Sequence, residues 1–450
     1  MPTLGRRIAR WVRQQDYRKL DEQTIHEVRR RVIDSIACCL GAYQSRPARI
    51  TRELALSVPM PKGASVWGQK AIVLTPLAVF ANGAMVRYLD YNDTYLSKEP
   101  AHPSDNIPAA MAATQAAGLG GKDAILATVI GYELQCRLCD AASLRAHGWD
   151  HVFYGALSTA MLAGRVWNLD EDRLEHALGL AGVCNIPTRQ TRTGQISDWK
   201  ACAFSNAARN GLFAADLARR GLTGPFDIFE GPRGIFKLLT GKFELSLHGD
   251  GADDWMINRT YIKYWPAEYH SQSAIDAMLQ LRPQIQGQKI ERIHIASFEA
   301  AVSIIGSERE KWRPTTRETA DHSLPFCCAA ALVDGDVTLE TFNDERLHDP
   351  RILDLVDRTS IVEDPALNAG YPEGIPNDIT ITFSDGGQIR KRVDFPRGHY
   401  RNAMTDDEVV AKFRRLARGV ISDETADRIL ALAWRLEELN DLRSLLEFDV

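Results

Sequence analysis

The sequence predicts a mainly α-helical protein: one large all-helical domain built from both chain ends, and a smaller α+β domain between them. Three observations support this prediction. Apolar residues recur at spacings of three and four from about residue 24 to residue 278, where strand signals are scarce. The pattern changes near Pro283, where strand-like segments begin. Helical periodicity resumes after Pro396, so the last helices are expected to return to the first domain.

The helical domain contains a strongly periodic early segment that Gly41 is expected to end. The apolar face of this segment comprises Ile25, Val28, Val32, Ile33, Ile36 and Leu40. Upstream, the basic amphipathic segment 6–13 is interpreted as a surface helix rather than as a transit peptide. Further helices are predicted at residues 74–89, 109–119, 123–145, 156–167, 173–182 and 206–220.

The smaller domain is indicated by a hairpin pattern. Residues 378–383 alternate between polar and apolar, residues 384–387 have turn composition, and residues 388–395 can return as the partner strand. The segment 289–295 also resembles a strand, whereas 323–333 and 345–356 have helical patterns. Thr405 and Glu408 then have the spacing of a capping box. These patterns divide the chain into residues 1–275, 276–398 and 399–450.

Composition narrows the classes of function. The chain has 450 residues, 45% of them hydrophobic, and a net charge of −5, so no global field attracts nucleic acid or an anionic membrane. No apolar run approaches the roughly 20 residues of a membrane span. Eight cysteines in a chain of this length indicate reduced thiols and a cytoplasmic location, with the mitochondrial matrix as the alternative. Cys136 and Cys139 are interpreted as two residues of a helix rather than as a metal or redox site.

The densest polar segment of the chain lies between two alanine-rich helical runs. It carries Asp90 and Asp93 on one side and His102, Ser104 and Asp105 on the other. Ser104 or Asp105 can cap a helix that begins near residue 107, and the free N–H groups of such a helix end can bind an anion. Asp90 and Asp93 can share a face if the preceding helix continues. The residues alone favour a capped polar loop and an acid–base site equally.

Other candidate residues are scattered along the chain. Lys200 enters a small-residue helix, Lys263 is embedded among aromatic residues, and His151 follows Asp150 just before a helix. Each of these residues taken alone is more often structural or solvated than functional. Motifs for nucleotide binding, zinc proteolysis and serine hydrolysis are absent. A divalent metal at Asp90, Asp93 and His102 stays open as an alternative.

Five ordered segments of the chain resemble the MmgE/PrpD family. They are residues 89–106, DWKACAFSNAARNG at 198–211, GPFDIFEGPRGIFK at 224–237, KYWPAEYHSQSAIDA at 263–277 and KWRPTTRETADHSLPF at 311–326. The resemblance implies a homodimer whose α+β domain is a lid, and a cofactor-independent, metal-free active site between the domains. The family's site positions then fall on Asp90, Thr94, His102, His151, Lys200 and Lys263. One departure is Phe326, where relatives often carry tyrosine.

The resemblance implies a hydro-lyase that dehydrates 2-methylcitrate or a close tricarboxylate such as citrate. His102 is the expected principal acid–base residue, oriented by Asp90 or Asp93 and assisted by His151, although the two histidines can exchange roles. Lys200, Lys263 and the helix end near Asp105 are expected to neutralise carboxylates. The expected substrate-binding residues are Asn92, Asp93, Thr94, Ser104 and Asp105.

Four alternatives to this dehydration remain at this point. Decarboxylation of cis-aconitate needs the same cations but releases carbon dioxide. Epimerisation or isomerisation of a related dicarboxylate needs the same proton abstraction. A metal-dependent lyase would use the carboxylates as ligands, and a non-catalytic helical binding protein would turn over no ligand.

Overall fold

The computed structural model describes residues 2–193 and 196–450. The chain forms two compact units: one of Met1–Thr260 with Thr405–Val450, and the other of Tyr261–Met404. The first unit is therefore discontinuous in sequence. The predicted boundaries after residues 275 and 398 differ from this division. Helical periodicity continues through residue 278, but the helix that carries it packs on the sheet of the second unit and belongs there.

The N-terminal part of the first unit is mainly helical, as predicted. Its predicted apolar positions from Ile25 to Leu40 are all buried. Its helices are α1 (Leu4–Gln14), α2 (Glu22–Ala42), α3 (Arg46–Leu56), α4 (Thr75–Tyr88), α5 (Ile107–Ala117), α6 (Gly121–Ala141), α7 (Val152–Val166), α8 (Glu171–Cys184) and α9 (Trp199–Arg219). Its strands are β1 (Pro59–Ser65), β2 (Ile72–Val73), β3 (Leu247–His248) and β4 (Gly251–Ala252).

Helix α7 is the central helix of this unit and packs against α5, α6, α8 and α9. Small residues allow α7 and α9 to approach closely. A Cβ atom at Gly211 of α9 would lie 2.2 Å from the carbonyl oxygen of Ala156, and one at Gly155 of α7 would lie 2.4 Å from the Phe204 ring. This packing fixes the N-terminal ends of α7 and α9, which carry two of the predicted site residues.

Two sequence-based expectations for this unit are wrong in detail. The unit is not all-helical, because β1 pairs with β2 and β3 pairs with β4 in two small sheets. These strands are two residues long or rich in proline and glycine, so they carry no alternating pattern. Gly41 also does not end α2, which continues to Ala42. The glycine instead gives room to Leu89 and Leu416, whose side chains would lie within 3 Å of an added Cβ atom.

The second unit contains the predicted α+β arrangement. A four-stranded sheet has the order β6-β5-β7-β8; β5 is parallel to β6 and antiparallel to β7. The strands are β5 (Ile290–Ser297), β6 (Thr359–Glu363), β7 (Asn377–Phe383) and β8 (Gln388–Val393). The helices are α10 (Gln272–Leu281), α11 (Glu299–Ala301), α12 (Arg309–Trp312), α13 (Arg317–Ala320), α14 (Leu324–Asp334), α15 (Asp344–Leu347), α16 (Pro350–Asp357) and α17 (Pro365–Asn368).

The hairpin of β7 and β8 confirms the period-two pattern. Ile379, Ile381 and Phe383 are buried, and the residues between them are partly exposed. Helix α10 packs against both strands. Strand β6 was not predicted from the sequence, and α15 and α16 were predicted as one helix. Because β6 is a short edge strand next to a helix, its pattern is too weak to be separated from that helix.

Three helices return to the first unit after residue 404: α18 (Asp406–Ala417), α19 (Asp423–Ala433) and α20 (Arg443–Leu446). The predicted capping box is present at the start of α18. The Glu408 N–H donates to Thr405 Oγ1, and the Thr405 N–H donates to Glu408 Oε2. The mainly α fold class with a smaller α+β region is thus confirmed.

The capping box gives the first testable prediction. Thr405→Ala removes the acceptor at the start of α18, so we expect a loss of about 1 kcal/mol in the free energy of unfolding, measured by urea denaturation. Thr405→Ser keeps the hydroxyl and is the matched control. Equal stability of the alanine and serine variants would contradict a capping role.

No helix among residues 2–193 and 196–450 is both long and apolar enough to cross a membrane. All eight cysteines are free thiols. Cys136 and Cys139 are buried in α6, where burial raises the pKa of both thiols. Their position is that of two residues on a helix, as interpreted from the sequence.

Candidate active site

The polar segment between α4 and α5 folds as a buried loop. Helix α4 ends at Tyr88, and Asp90 has a positive φ of 53°, so the chain reverses there. Tyr95 and Ala101 then form an antiparallel bridge. The expectation that Asp90 and Asp93 share a helix face is therefore wrong, because the helix does not continue past Tyr88. The loop presents the two carboxylates to different neighbours.

The expected cap on α5 is also wrong. Residues Pro103–Asn106 form a 3₁₀ turn that runs directly into α5, and Asn106 is the N-cap residue without a side-chain cap bond. Ser104 and Asp105 lie inside that turn, one or two residues too early to cap the helix. The Ser104 N–H donates to Asp93 Oδ1 at 2.8 Å. A carboxylate of the protein itself therefore occupies one donor of the predicted anion site.

Asp93 is fully enclosed. Its Oδ2 accepts a hydrogen bond from the Tyr132 hydroxyl at 2.7 Å and lies 3.7 Å from Arg31 Nε. Burial raises the pKa of the Asp93 carboxyl, while Arg31 and the hydrogen bond from Ser104 oppose that shift. The contacts of this side chain all hold the loop against α2, α6 and the 3₁₀ turn.

Asp90 lies at the centre of a cluster of ionisable groups. Arg87 pairs with Asp90 Oδ1. The same oxygen lies 3.7 Å from His102 Nε2, and Asp90 Oδ2 lies 3.7 Å from Lys200 Nζ. Lys200 is the second residue of α9 and its side chain is 17% exposed. The fold therefore brings together three of the predicted site residues across 110 residues of sequence.

His102 is held from two sides. Its Nδ1 lies 2.8 Å from the backbone carbonyl oxygen of Asp93, and its Nε2 faces Asp90. A carbonyl oxygen only accepts, so Nδ1 carries a proton and donates it. Nε2 is then the nitrogen that can take up or release a proton. Asp93 thus orients His102 through its backbone, and Asp90 faces it through its carboxylate.

His151 lies next to His102, with 6.2 Å between the ring centroids. Its Nε2 is 3.6 Å from Asp150 Oδ1, and Arg192 Nε is 2.9 Å from Asp150 Oδ2. Burial, together with the charge of Arg192, lowers the pKa of His151 to about 3. Burial alone would raise the pKa of Asp150, but the charge of Arg192 lowers it overall. His151 is therefore a neutral imidazole near neutral pH.

Arg87 and Arg192 were not predicted from the sequence as site residues. Arg87 is three residues before Asp90, a spacing at which an ion pair can form at a helix end. Arg192 lies in the short 3₁₀ segment Arg189–Arg192, upstream of Lys200. The available signal was the pair Arg189 and Arg192, which are three residues apart and lie shortly before Lys200.

Asp105 is a second carboxylate close to Arg87. Asn92 Nδ2 donates to Asp105 Oδ1 and to Ser104 Oγ, both at 2.9 Å, and Arg87 Nε lies 3.8 Å from Asp105 Oδ2. Burial raises the pKa of Asp105 to about 7, although Arg87 opposes the shift. This carboxyl therefore exchanges its proton near neutral pH.

The raised pKa of Asp105 predicts a pH effect on stability. Between about pH 4 and pH 7 the folded protein holds a proton that the unfolded chain, with an aspartate pKa near 3.9, releases. The Asp105 contribution to stability therefore falls as pH rises through this window. Asp105→Asn removes the titration, so the variant should gain up to about 4 kcal/mol relative to the unmodified protein from pH 4 to pH 8. Urea midpoints at several pH values measure this, and a difference independent of pH would contradict it.

Thr94, Lys263 and Phe326 are the remaining residues singled out from the sequence. Thr94 is buried and its hydroxyl donates to the Ala101 carbonyl oxygen at 3.1 Å, inside the same loop. Lys263 belongs to the second unit. Phe326, the departure from the family pattern, is buried in α14.

Lys263 has its own polar surroundings in the second unit. His270 Nδ1 lies 2.7 Å from Glu268 Oε1, and His270 Nε2 lies 3.4 Å from the Tyr371 hydroxyl. Burial opposes the ionisation of Glu268, but His270, His322 and Lys263 lower its pKa to about 2. Glu268 and His270 were not predicted as site residues, although both lie in the segment 263–277.

The family model of the MmgE/PrpD N-terminal domain matches residues 6–248, and that of the MmgE/PrpD C-terminal domain matches residues 265–438. The chain belongs to the MmgE/PrpD family. The resemblance inferred from the five sequence segments is thus confirmed, and the two matched regions of this MmgE/PrpD protein cover most of its length.

The chain is similar to proteins named 2-methylcitrate dehydratase and to one named cis-aconitate decarboxylase. A 2-methylcitrate dehydratase of Cupriavidus necator is 31% identical over 426 residues, covering 86% of this chain and 84% of that protein. A 2-methylcitrate dehydratase of Escherichia coli strain K12 is 28% identical over 425 residues, covering 86% and 85%. The human cis-aconitate decarboxylase is 24% identical over 445 residues, covering 94% and 89%.

The described part of the chain places no group of three or more histidine, cysteine, aspartate or glutamate side chains where they could hold a metal ion. At Asp90, two cations and an imidazole surround the carboxylate. Cations in those positions repel a divalent metal, so the donor set suits an anionic ligand.

Proposed function

We propose that this protein is a hydro-lyase that dehydrates 2-methylcitrate, or a close tricarboxylate such as citrate, to the corresponding cis-aconitate. The observation that supports this most directly is the arrangement at Asp90. His102 has its proton-exchanging nitrogen 3.7 Å from Asp90, and Lys200 lies the same distance from the other oxygen. An acid–base group thus stands beside a cation, as the dehydration of a polycarboxylate requires.

His102 carries the principal acid–base step in this proposal. Neutral His102 takes the proton from the carbon beside a substrate carboxylate through Nε2, and Asp90 stabilises the imidazolium that forms. The C–H electron pair becomes the new double bond while the C–O bond to the neighbouring carbon breaks. The departing hydroxide takes the proton that His102 has collected and leaves as water, so His102 returns to its neutral form.

His151 assists as a neutral side chain. Its low pKa keeps it uncharged, so it can hydrogen-bond the substrate hydroxyl without adding a charge. Its ring is 6.2 Å from that of His102, centroid to centroid, close enough for both to reach neighbouring carbons of one small substrate.

Cations bind the substrate carboxylates and the charge that builds up beside them in the transition state. Lys200 and Arg192 are the candidates in the first unit, because both are partly exposed beside the two histidines. Lys263 is the candidate in the second unit, and its role stays a prediction. Asn92, Asp93, Thr94, Ser104 and Asp105 support the loop that holds Asp90 and His102, since their side chains are engaged within it.

A substrate panel tests this function. The purified protein is given 2-methylcitrate, citrate, isocitrate and cis-aconitate, with ultraviolet detection of a conjugated alkene alongside a carbon dioxide assay. We expect alkene formation from 2-methylcitrate without carbon dioxide. Carbon dioxide from cis-aconitate would instead assign the decarboxylation of the human relative, and no turnover of any of the four would contradict the proposed function.

We also propose that the protein is a homodimer. Phe213 of α9, Leu74 and Met60 are large apolar side chains that are each more than a third exposed, and they line one groove of the first unit. A second copy could cover such a surface. Light scattering of the protein and of Phe213→Asp tests this, with a dimer expected for the unmodified protein and a larger monomer fraction for the variant.

The cytoplasmic location stays a prediction.

A further inference from the structure

A lysine is buried on the inner face of α18. Lys412 lies among Val409, Phe413 and Leu416, the buried apolar residues of this helix. Its side chain is only 1% exposed. Burying an ammonium group is costly unless the group has close partners, so the surroundings of this lysine require an explanation.

The partners of Lys412 lie in two distant parts of the chain. Its Nζ is 2.6 Å from Asp34 Oδ1 on α2, and the Asp34 side chain is fully buried. The same Nζ donates to the backbone carbonyl oxygen of Tyr91 at 2.8 Å and lies 3.7 Å from the centroid of the Tyr91 ring. Arg415, one turn further along α18, donates to the Tyr91 hydroxyl at 2.6 Å.

Tyr91 lies between two residues of the candidate site, Asp90 and Asn92. Asp90, which faces His102 and Lys200, precedes it; Asn92, which holds Ser104 and Asp105, follows it. The carbonyl that Lys412 binds belongs to the peptide between Tyr91 and Asn92. Two residues after Tyr91, the carbonyl of Asp93 is the acceptor for His102 Nδ1.

We propose that Lys412, held by Asp34, is a positioning residue of the active site: its ammonium group fixes the Tyr91–Asn92 peptide and thereby the alignment of Asp90 with His102. This role rests on the proposed function. Lys412 does not touch the substrate. It acts through the loop, so its loss should slow the chemical step more than it weakens substrate binding.

A simple structural role makes a different prediction from positioning. If the buried pair only stabilised the protein, removing both charges would restore stability and activity together. Replacing a buried ion pair by neutral groups often leaves stability intact, whereas removing one partner leaves an uncompensated buried charge. The double variant Asp34→Asn/Lys412→Met removes both charges but still lacks the donor to Tyr91.

The experiment compares Lys412→Met, the double variant and the control Arg414→Met. Arg414 is a half-exposed cation on the same helix that pairs with Asp427. We expect Lys412→Met to lose stability and kcat. The double variant should recover the urea midpoint, yet its kcat should stay about 10- to 100-fold below that of the unmodified protein with KM little changed. Arg414→Met should match the unmodified protein in kcat.

Hydrogen–deuterium exchange adds a readout that needs no substrate. Peptides covering residues 89–95 should take up deuterium faster in both Lys412 variants and not in Arg414→Met. Recovery of kcat together with stability in the double variant, or unchanged uptake in this loop, would overturn the proposal. Failure of both variants to fold would assign the pair to folding alone and overturn it too. An unmodified protein that dehydrates none of the panel overturns the proposed function instead, and the exchange data then decide whether Lys412 holds the loop.

Discussion

Replacing His102 by asparagine is expected to lower kcat by about 10²- to 10⁴-fold, the usual contribution of a general acid–base residue. Asparagine can still donate a hydrogen bond to the Asp93 carbonyl, but it cannot exchange a proton beside Asp90. The folded structure should therefore persist while turnover is lost. The measurement is the steady-state rate of alkene formation from 2-methylcitrate.

The matched control is His147→Asn, because His147 is an exposed histidine in the same part of the fold. It should leave kcat unchanged. Turnover of His102→Asn within about threefold of the unmodified protein would contradict the acid–base assignment. A large loss in His151→Asn with little effect at His102 would reverse the roles of the two histidines.

Replacing Lys200 by methionine is expected to lower kcat/KM by about 10²- to 10³-fold, as removal of one preorganised charge-stabilising donor does in other enzymes. A lysine in the first turn of a helix is opposed by the helix dipole, so its position there does not serve the stability of α9. Methionine keeps most of the side-chain volume, and Arg87 still pairs with Asp90. Little change in stability should accompany the loss of activity.

Lys122→Met is the control for this change. Lys122 is the second residue of α6, as Lys200 is the second residue of α9, but its side chain is exposed and outside the site. Lys200→Arg should retain part of the activity, since the charge remains while its geometry differs. An unchanged kcat/KM in Lys200→Met would remove this lysine from the proposed mechanism.

Local signals predicted much of the fold because each depends on residues close together in sequence. The apolar spacing from Ile25 to Leu40 follows the period of a helix, and all its members are buried. The alternation from residue 378 to residue 383 produced a strand with one buried face. Thr405 and Glu408 form their capping box within a single turn.

Predictions that depended on distant contacts were less successful. Gly41 was predicted to end α2, but it lies inside the helix and makes room for Leu89 and Leu416, which no local pattern reveals. The unit boundary was placed after residue 275 because the helical period of α10 does not show that this helix packs on a sheet. Ser104 and Asp105 are residue types that often cap helices, but both lie within the 3₁₀ turn Pro103–Asn106 that precedes α5.

By itself, the sequence determined the fold class, the family and the candidates Asp90, His102 and Lys200, because periodicity and ordered segments are properties of the chain alone. Only the tertiary structure decided how these groups meet. It paired Asp90 with Arg87, His102 and Lys200, gave Asp93 a backbone role, and added Arg192 and Lys412. The physical reason is that the pKa and partners of a charge depend on burial and on distances of a few ångströms, which arise when segments hundreds of residues apart pack together.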